Sequence, residues 1–394
     1  MNNQIVTLSE ISVGGKGSYG IAASAVPFSD NLYTYLRITD INDDGTLNLQ
    51  DLKSVDDEKA KDYLLTPNDI VFARTGASTG RNYFYDGSDG EFVYAGFLIK
   101  FSLDSQKVNP KYIKYFCQSK QYKDWINSFN TGSTRGNINA QTLGKMPVPL
   151  ISRYQQDAMV SVLSSIDEKI RNNTKINCNL EQQAQALFKS WFVDFEPFGG
   201  IKPESWKMGT LADICEYSKD KVNIDELSLE TYYSTENMQP NRQGALPASS
   251  LPAIKQTTAC GKGNVLISNI RPYFKKILYC YSDCGCSSDV LCFVPCKNNW
   301  SAFLYCKLYA DKFFSYMVSG AKGTKMPRGD KQQIMMYPIC IPENEYLNRF
   351  NNIVSEMLET VNTNRTENKA LTGIRDTLLP KLMSGEIDVS EIAL

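Results

Sequence analysis

The chain has 394 residues, 42% hydrophobic and 22% charged, with 42 basic against 43 acidic side chains and no histidine. That length calls for more than one core, and that balance describes a globular protein and excludes a disordered one. The missing histidine removes Ser-His-Asp and Cys-His nucleophiles and every His-bearing zinc site.

The first dozen residues carry neither the basic nor the apolar region of a signal peptide. Apolar runs stop far short of the roughly 18 residues that a membrane span needs. Eleven scattered cysteines read as free thiols of a reducing compartment. A cytoplasmic, multidomain protein without a membrane partner is expected.

In chain order, Leu8-Ser-Glu-Ile11 reads as a short strand entering a turn. Gly15-Lys-Gly-Ser-Tyr-Gly20 has the glycine spacing of a dinucleotide site, but Pro27 leaves no room for the helix such a site requires. It reads as a loop. Tyr35-Leu-Arg-Ile-Thr-Asp-Ile41 and Asn68-Asp-Ile-Val-Phe-Ala-Arg74 are further strands entering turns, and Tyr112-Ile-Lys-Tyr-Phe116 is an amphipathic helix. Two glycine-rich basic loops stand out, Arg74-Thr-Gly-Ala-Ser-Thr-Gly-Arg81 and Gly132-Ser-Thr-Arg-Gly-Asn137. The proline-interrupted edge Met146-Pro-Val-Pro-Leu-Ile151 closes this half.

A long proline-free stretch follows, and another ends the chain; each allows a helix of about 38 residues, roughly 57 Å long. Leu163, Ile166, Ile170, Asn173, Asn177, Leu180 and Leu187 fall on heptad spacing in the first. Adding 191 gives Val354, Met357, Val361, Asn364, Asn368, Leu371 and Leu378 in the second. A sustained heptad seam predicts a coiled coil, and paired asparagines within it penalise slips of register.

Between these helices the first half is written again. Leu211-Ala-Asp-Ile214, Tyr232-Tyr-Ser-Thr-Glu-Asn-Met238, Gly263-Asn-Val-Leu-Ile-Ser-Asn269, Ala302-Phe-Leu-Tyr-Cys306, Gly320-Ala-Lys-Gly-Thr-Lys325 and Met336-Tyr-Pro-Ile-Cys-Ile341 recur in the same order. Basic blocks recur as well. Eight Lys and Arg face two Asp between residues 92 and 151, and eleven face four between 262 and 331.

No motif for catalysis emerges. There is no phosphate-binding loop, Asn109-Pro-Lys-Tyr112 is not the N-P-P-Y of an amino-methyltransferase, and Glu367-Asn-Lys369 sits on the heptad helix without an acidic partner. Cys280, Cys284, Cys286, Cys292 and Cys296 depart from paired zinc knuckles and read as buried structural thiols, a metal site being the alternative. The basic loops are the better candidates. Arg74, Thr75, Ser78, Thr79 and Arg81, with Ser133, Thr134, Arg135 and Asn137, offer donors for phosphates and base edges. In the second half Asn269, Arg271, Tyr273, Lys275 and Lys276, with Lys322, Thr324, Lys325 and Arg328, take their places.

Gly17-Ser-Tyr-Gly-Ile21 followed by Tyr35-Leu-Arg-Ile-Thr-Asp-Ile41 resembles the start of a target-recognition domain of type I restriction–modification specificity subunits. Leu187-Phe-Lys-Ser-Trp-Phe-Val-Asp-Phe195, Pro203-Glu-Ser-Trp206 and Leu378-Leu-Pro-Lys-Leu-Met-Ser-Gly-Glu-Ile387 are similar to later parts of that family, in the right order. The resemblance implies two α+β recognition domains, residues 1–150 and 199–342, related by a pseudo-two-fold axis. Helices in residues 151–198 and 343–394 would separate them as an antiparallel coiled coil. It further implies a non-catalytic subunit that reads double-stranded, bipartite DNA. Two methyltransferase subunits would dock on it, and motor-nuclease subunits would join the complex. S-adenosylmethionine, ATP and magnesium would belong to those partners. Arg37 is a candidate contact in the first domain, but Ser234 stands at its place in the second. A stand-alone nucleic-acid-modifying enzyme and an orphan DNA-binding or decoy protein are the alternatives.

Overall fold

The computed structural model describes residues 4–49, 51–129 and 137–387. The chain divides into two compact units, residues 1–170 with 369–394 and residues 171–368, so each unit takes a share of both long helices.

In the first unit, Gln4–Thr7 pairs antiparallel with Pro147–Leu150. One four-stranded sheet runs Ser18–Tyr19, Leu98–Ser102, Asp69–Ala73, Asn82–Tyr85, and the other runs Ala25–Pro27, Lys53–Val55, Tyr33–Leu36, Phe92–Tyr94. Asp69–Ala73 is buried along its whole length, which is why it reads as a continuous apolar run without alternation. Three short helices follow, α1 (Pro110–Phe116), α2 (Lys120–Asn127) and α3 (Ala140–Gly144), capped by the side chains of Asn109, Ser119 and Asn139. The first long helix is α4 (Arg153–Phe192).

The second unit repeats the plan. Lys207–Thr210 pairs with Pro338–Ile341. One sheet runs Cys215–Tyr217, Val290–Pro295, Val265–Ser268, Ile277–Tyr279, and the other runs Lys221–Asn223, Gln256–Cys260, Cys284–Cys286, Tyr232–Tyr233. Helices α5 (Ser301–Tyr309), α6 (Asp311–Ser319), α7 (Lys331–Met335) and α8 (Asn344–Ser384) follow. Both units are α+β. From α1 onward each element starts 191 residues before its counterpart, so matching Tyr112 with Ala302 and Met146 with Met336 by sequence is one residue short.

The long helices pair antiparallel. In the second unit Asn173 Nδ2 donates to Asn368 Oδ1 at 2.9 Å and Asn364 Nδ2 to Asn177 Oδ1 at 2.9 Å. The four asparagines therefore satisfy one another across the seam, and Glu367 accepts a further bond from Asn173 at 2.7 Å. Leu163, Val354 and Val361 are fully buried as the heptad predicts. Ile166, Ile170, Leu180, Met357 and Leu371 are half-buried, as befits a pair of helices with open flanks. Toward the helix ends the stripe shifts by one residue: Leu187, Met357 and Leu378 are half-buried while Phe188, Leu358 and Leu379 are buried. A helix of 3.6 residues per turn drifts against a seven-residue repeat, and there the buried residues join the cores of the units. Proline does not end α8; Pro380 lies inside it, beyond the stretch the sequence allowed.

In the first unit Asp167 of α4 ties three elements together. It receives Lys114 Nζ at 2.7 Å, Tyr115 Oη at 2.9 Å and Arg375 of α8 at 3.2 Å. Burial pushes its carboxyl upward, but these donors outweigh burial and hold it below the ordinary aspartate range. A carboxylate depressed on folding contributes stability above its unfolded value, about 4, and loses it as pH falls through the folded value. Asp167→Asn is expected to flatten the acid limb of a stability–pH curve measured by urea unfolding; an unchanged limb would show that the network is not ionised.

The cysteine cluster differs from the sequence reading in membership. Cys260, Cys280, Cys284, Cys286 and Cys292 are buried with Met238, Leu266, Leu278 and Val290, whereas Cys296 is exposed and lies outside. Gly20 serves backbone approach: a Cβ there would lie 2.2 Å from the Tyr94 carbonyl oxygen. Where the sequence reads only a loop, Gly17 and Gly20 flank the short strand Ser18–Tyr19 and let it approach its neighbours closely.

Candidate nucleic-acid interface

In the first unit the loop after Arg74 meets Asn137, which the sequence reading placed at the end of the second basic loop. Arg74 leaves the strand Asp69–Ala73, and its N–H donates to the Phe97 carbonyl at 3.0 Å. On its other side the Arg74 carbonyl accepts from Ile138 N at 2.9 Å, and Thr75 bridges Asn137. The Arg74 guanidinium carbon stands 5.1 Å from the centre of the Tyr19 ring. Tyr19 Oη also accepts from Ala140 N at 3.1 Å, so one tyrosine holds both the arginine and the start of α3. Among the described residues, Nε of this stacked guanidinium is buried without a hydrogen-bond partner.

The second unit builds the same junction. Asn269 occupies the place of Arg74: its N–H donates to Asp289 O at 2.8 Å and its carbonyl accepts from Gly329 N at 3.2 Å. Ile270 bridges Arg328 as Thr75 bridges Asn137. The arginine and asparagine have exchanged sides, Arg74 with Asn137 in one unit and Asn269 with Arg328 in the other. Each junction therefore presents one guanidinium and one carboxamide, the groups that grip guanine and adenine edges respectively. Asn269 Oδ1 and Arg271 Nε are buried without partners as well.

Other candidates separate into free and engaged groups. Arg37 is engaged: it forms a bidentate pair with Asp40 at 3.0 and 2.6 Å and donates to Asp51 O at 2.7 Å. Its counterpart Ser234 keeps only the turn, its N–H donating to Asn237 Oδ1 at 2.7 Å, just as Arg37 N donates to Asp40 at 2.8 Å. Arg81 bonds Asp43 at 2.6 Å. Thr79 closes its own turn onto Gly76 O at 2.8 Å, and Ser78 is buried. Lys275 pairs with Asp311 at 2.7 Å, Lys322 with Asp330 at 2.6 Å, and Arg328 with Asp289 at 3.0 Å. Lys276 donates to Thr235 O at 2.6 Å, and burial lowers its pKa. Thr324, Lys325 and Tyr273 are exposed. Ser133, Thr134 and Arg135 lie outside the described residues.

The basic blocks are therefore less open than their counts suggest. Acids from outside the first block, Asp69 and Asp167, neutralise Lys100 at 3.1 Å and Lys114 at 2.7 Å. Sequence reasoning missed Tyr19, although it lies in the glycine-rich motif, because a cation–π partner 55 residues away leaves no local pattern. Among the described residues no group of three or more acids and thiols could hold a metal, and no helix is long and apolar enough to cross a membrane.

Comparison with known proteins finds specificity proteins of type I restriction–modification enzymes. Residues 16–182 match the type I restriction modification DNA specificity domain. The specificity subunit of the type I restriction enzyme MjaIX of Methanocaldococcus jannaschii is 27% identical over 72% of this chain and 71% of its own. That of HindI from Haemophilus influenzae is 22% identical over 81% and 86%. The crystal structure of a type I restriction–modification S subunit from M. genitalium shares the fold, with a TM-score of 0.61 at 19% identity over 97% of this chain and 96% of that one. Residues 16–182 thus resemble a type I restriction–modification DNA specificity domain, and the chain shares its fold and most of its length with specificity subunits of such enzymes.

Proposed function

We propose that each unit reads one half of a bipartite DNA site through its loop junction, Arg74 with Asn137 in the first and Asn269 with Arg328 in the second. The observation that carries this reading is the duplicated junction: the same backbone bonds hold two loops together in both units, with the arginine and asparagine exchanged. Equal scaffolds with different side chains suit two half-sites of different sequence. Lys325 and Thr324 supply phosphate contacts, and Ser133, Thr134 and Arg135 are the further contacts that the sequence suggests.

In this reading residues 1–150 and 199–342 are the recognition domains. The helices within 151–198 and 343–394 set the spacer and dock two methyltransferase subunits, and motor-nuclease subunits join through the assembled complex. The chain itself performs no chemistry; S-adenosylmethionine, ATP and magnesium act in the partners. The complex works in the cytoplasm. Long-read methylome sequencing of a host with and without this gene tests the proposal. A bipartite adenine-methylation motif should disappear with the gene, and an unchanged methylome in a host carrying an active methyltransferase partner would refute it.

A further inference from the structure

Among the described residues, six that are not glycine have positive φ, and four of them meet at one place in the second unit. Arg271 (φ 50°) and Lys275 (φ 52°) flank the short turn Pro272–Phe274, and Asn241 (φ 54°) and Arg242 (φ 65°) form the turn against it. Asn241 N donates to Phe274 O at 2.8 Å, Arg242 N to Lys275 O at 3.0 Å, and Arg271 N to Pro327 O at 2.8 Å. Arg242 and Lys275 share Asp311 at the start of α6. Left-handed backbone is unfavourable for side-chain-bearing residues and persists only where surroundings enforce it. Here both turns and the carboxylate enforce it together.

What this rigid base holds out is aromatic. Pro272 is buried, while Tyr273 and Phe274 remain 49% and 37% exposed with ring centres 4.7 Å apart. Lys276 Nζ lies 6.0 Å from the Phe274 ring, and the neighbouring loop brings Arg328 and exposed Lys325. An exposed aromatic pair on a strained turn with a cationic rim suits a partner with flat π faces and phosphates. The corresponding turn of the first unit, Gly76–Ser78, carries no aromatic residue.

We propose that Tyr273 and Phe274 form a wedge that enters double-stranded DNA and unstacks one base step within the half-site read by the second unit. This rests on the specificity reading above. Exposed Lys325 holds a phosphate while the rings replace the lost base stacking. The first half-site, met by a turn without aromatic side chains, keeps its stacking.

The test uses the full chain assembled with its methyltransferase partner and duplexes bearing the methylome-defined motif, with 2-aminopurine at successive positions of each half-site. Apart from the target adenines, which the methyltransferases themselves extrude, fluorescence should rise at one step of the second half-site and nowhere in the first. Tyr273→Ala with Phe274→Ala should abolish the rise and weaken binding roughly tenfold, as loss of base–aromatic stacking does. Tyr273→Trp should retain both. Normal binding without any rise, or a rise unchanged in the double variant, would overturn the wedge alone. Loss of the methyltransferase from the double variant would mark the patch as a protein interface and overturn it too. Absence of any bipartite motif would overturn the specificity reading and the wedge with it.

Discussion

Deleting residues 173–179 together with 362–368 is expected to shorten the spacer between the half-sites by about three base pairs, since seven helical residues span roughly 10 Å and each base step 3.4 Å. These stretches are chosen from the pairing, because Asn173 bonds Asn368 and Asn177 bonds Asn364. Removing facing segments returns every remaining residue to its former partner. Leu180 and Leu371 move into the places of Asn173 and Asn364, so the seam stays in phase. Deleting 173–179 with 364–370, as the sequence repeat alone suggests, leaves a two-residue mismatch at the junction. The antiparallel register explains the difference: residues equivalent by repetition are not the residues that face each other. The half-site sequences should stay unchanged because neither loop junction is touched. DNA rotates as well as shortens, so weaker binding at the new spacing is expected. A methylome retaining the original spacer at full efficiency would refute the ruler.

Arg74→Ala and Arg328→Ala are expected to act on different halves of the motif. A bidentate arginine–guanine contact discriminates by about 1–3 kcal/mol, so each change should relax its base preference by roughly 5- to 150-fold. Arg74 is positioned by stacking on Tyr19, and its removal leaves the backbone bonds of the junction intact. Arg328 is more than half exposed, and its pair with Asp289 is worth little to folding, so alanine there should leave the unit folded. A change in salt dependence alone, equal for all sequences, would identify either arginine as a phosphate contact.

The sequence made the duplication, the seam and the loops legible because each rests on local pattern. Strand and turn signals recur in order, and the heptad places Leu163, Val354 and Val361 correctly in the core. Its failures are also physical. Near the ends of α4 and α8 the cores of the units take part in deciding burial: Phe188 meets Phe303 of α5 as well as Phe350 of α8, and Leu379 joins the core of the first unit. Pro380 is carried within α8, where a proline rule expects a break. Counting charge within a block overlooked Asp167, which sits on a helix outside it and claims Lys114. The meeting of the two loops, the stacking of Tyr19 on Arg74 and the strained turn under Tyr273 depend on contacts between distant segments, which single-sequence patterns do not encode.

In the proposed function the chain carries two independent readers, one per half-site. Methylome sequencing of hosts expressing the wild-type chain, Arg74→Ala and Arg328→Ala, each with the same methyltransferase partner, tests it most directly. Each variant should degenerate one half of the motif, a different half for each, and leave the other half and the spacer intact. Both variants degenerating the same half, or either altering both halves alike, would contradict it.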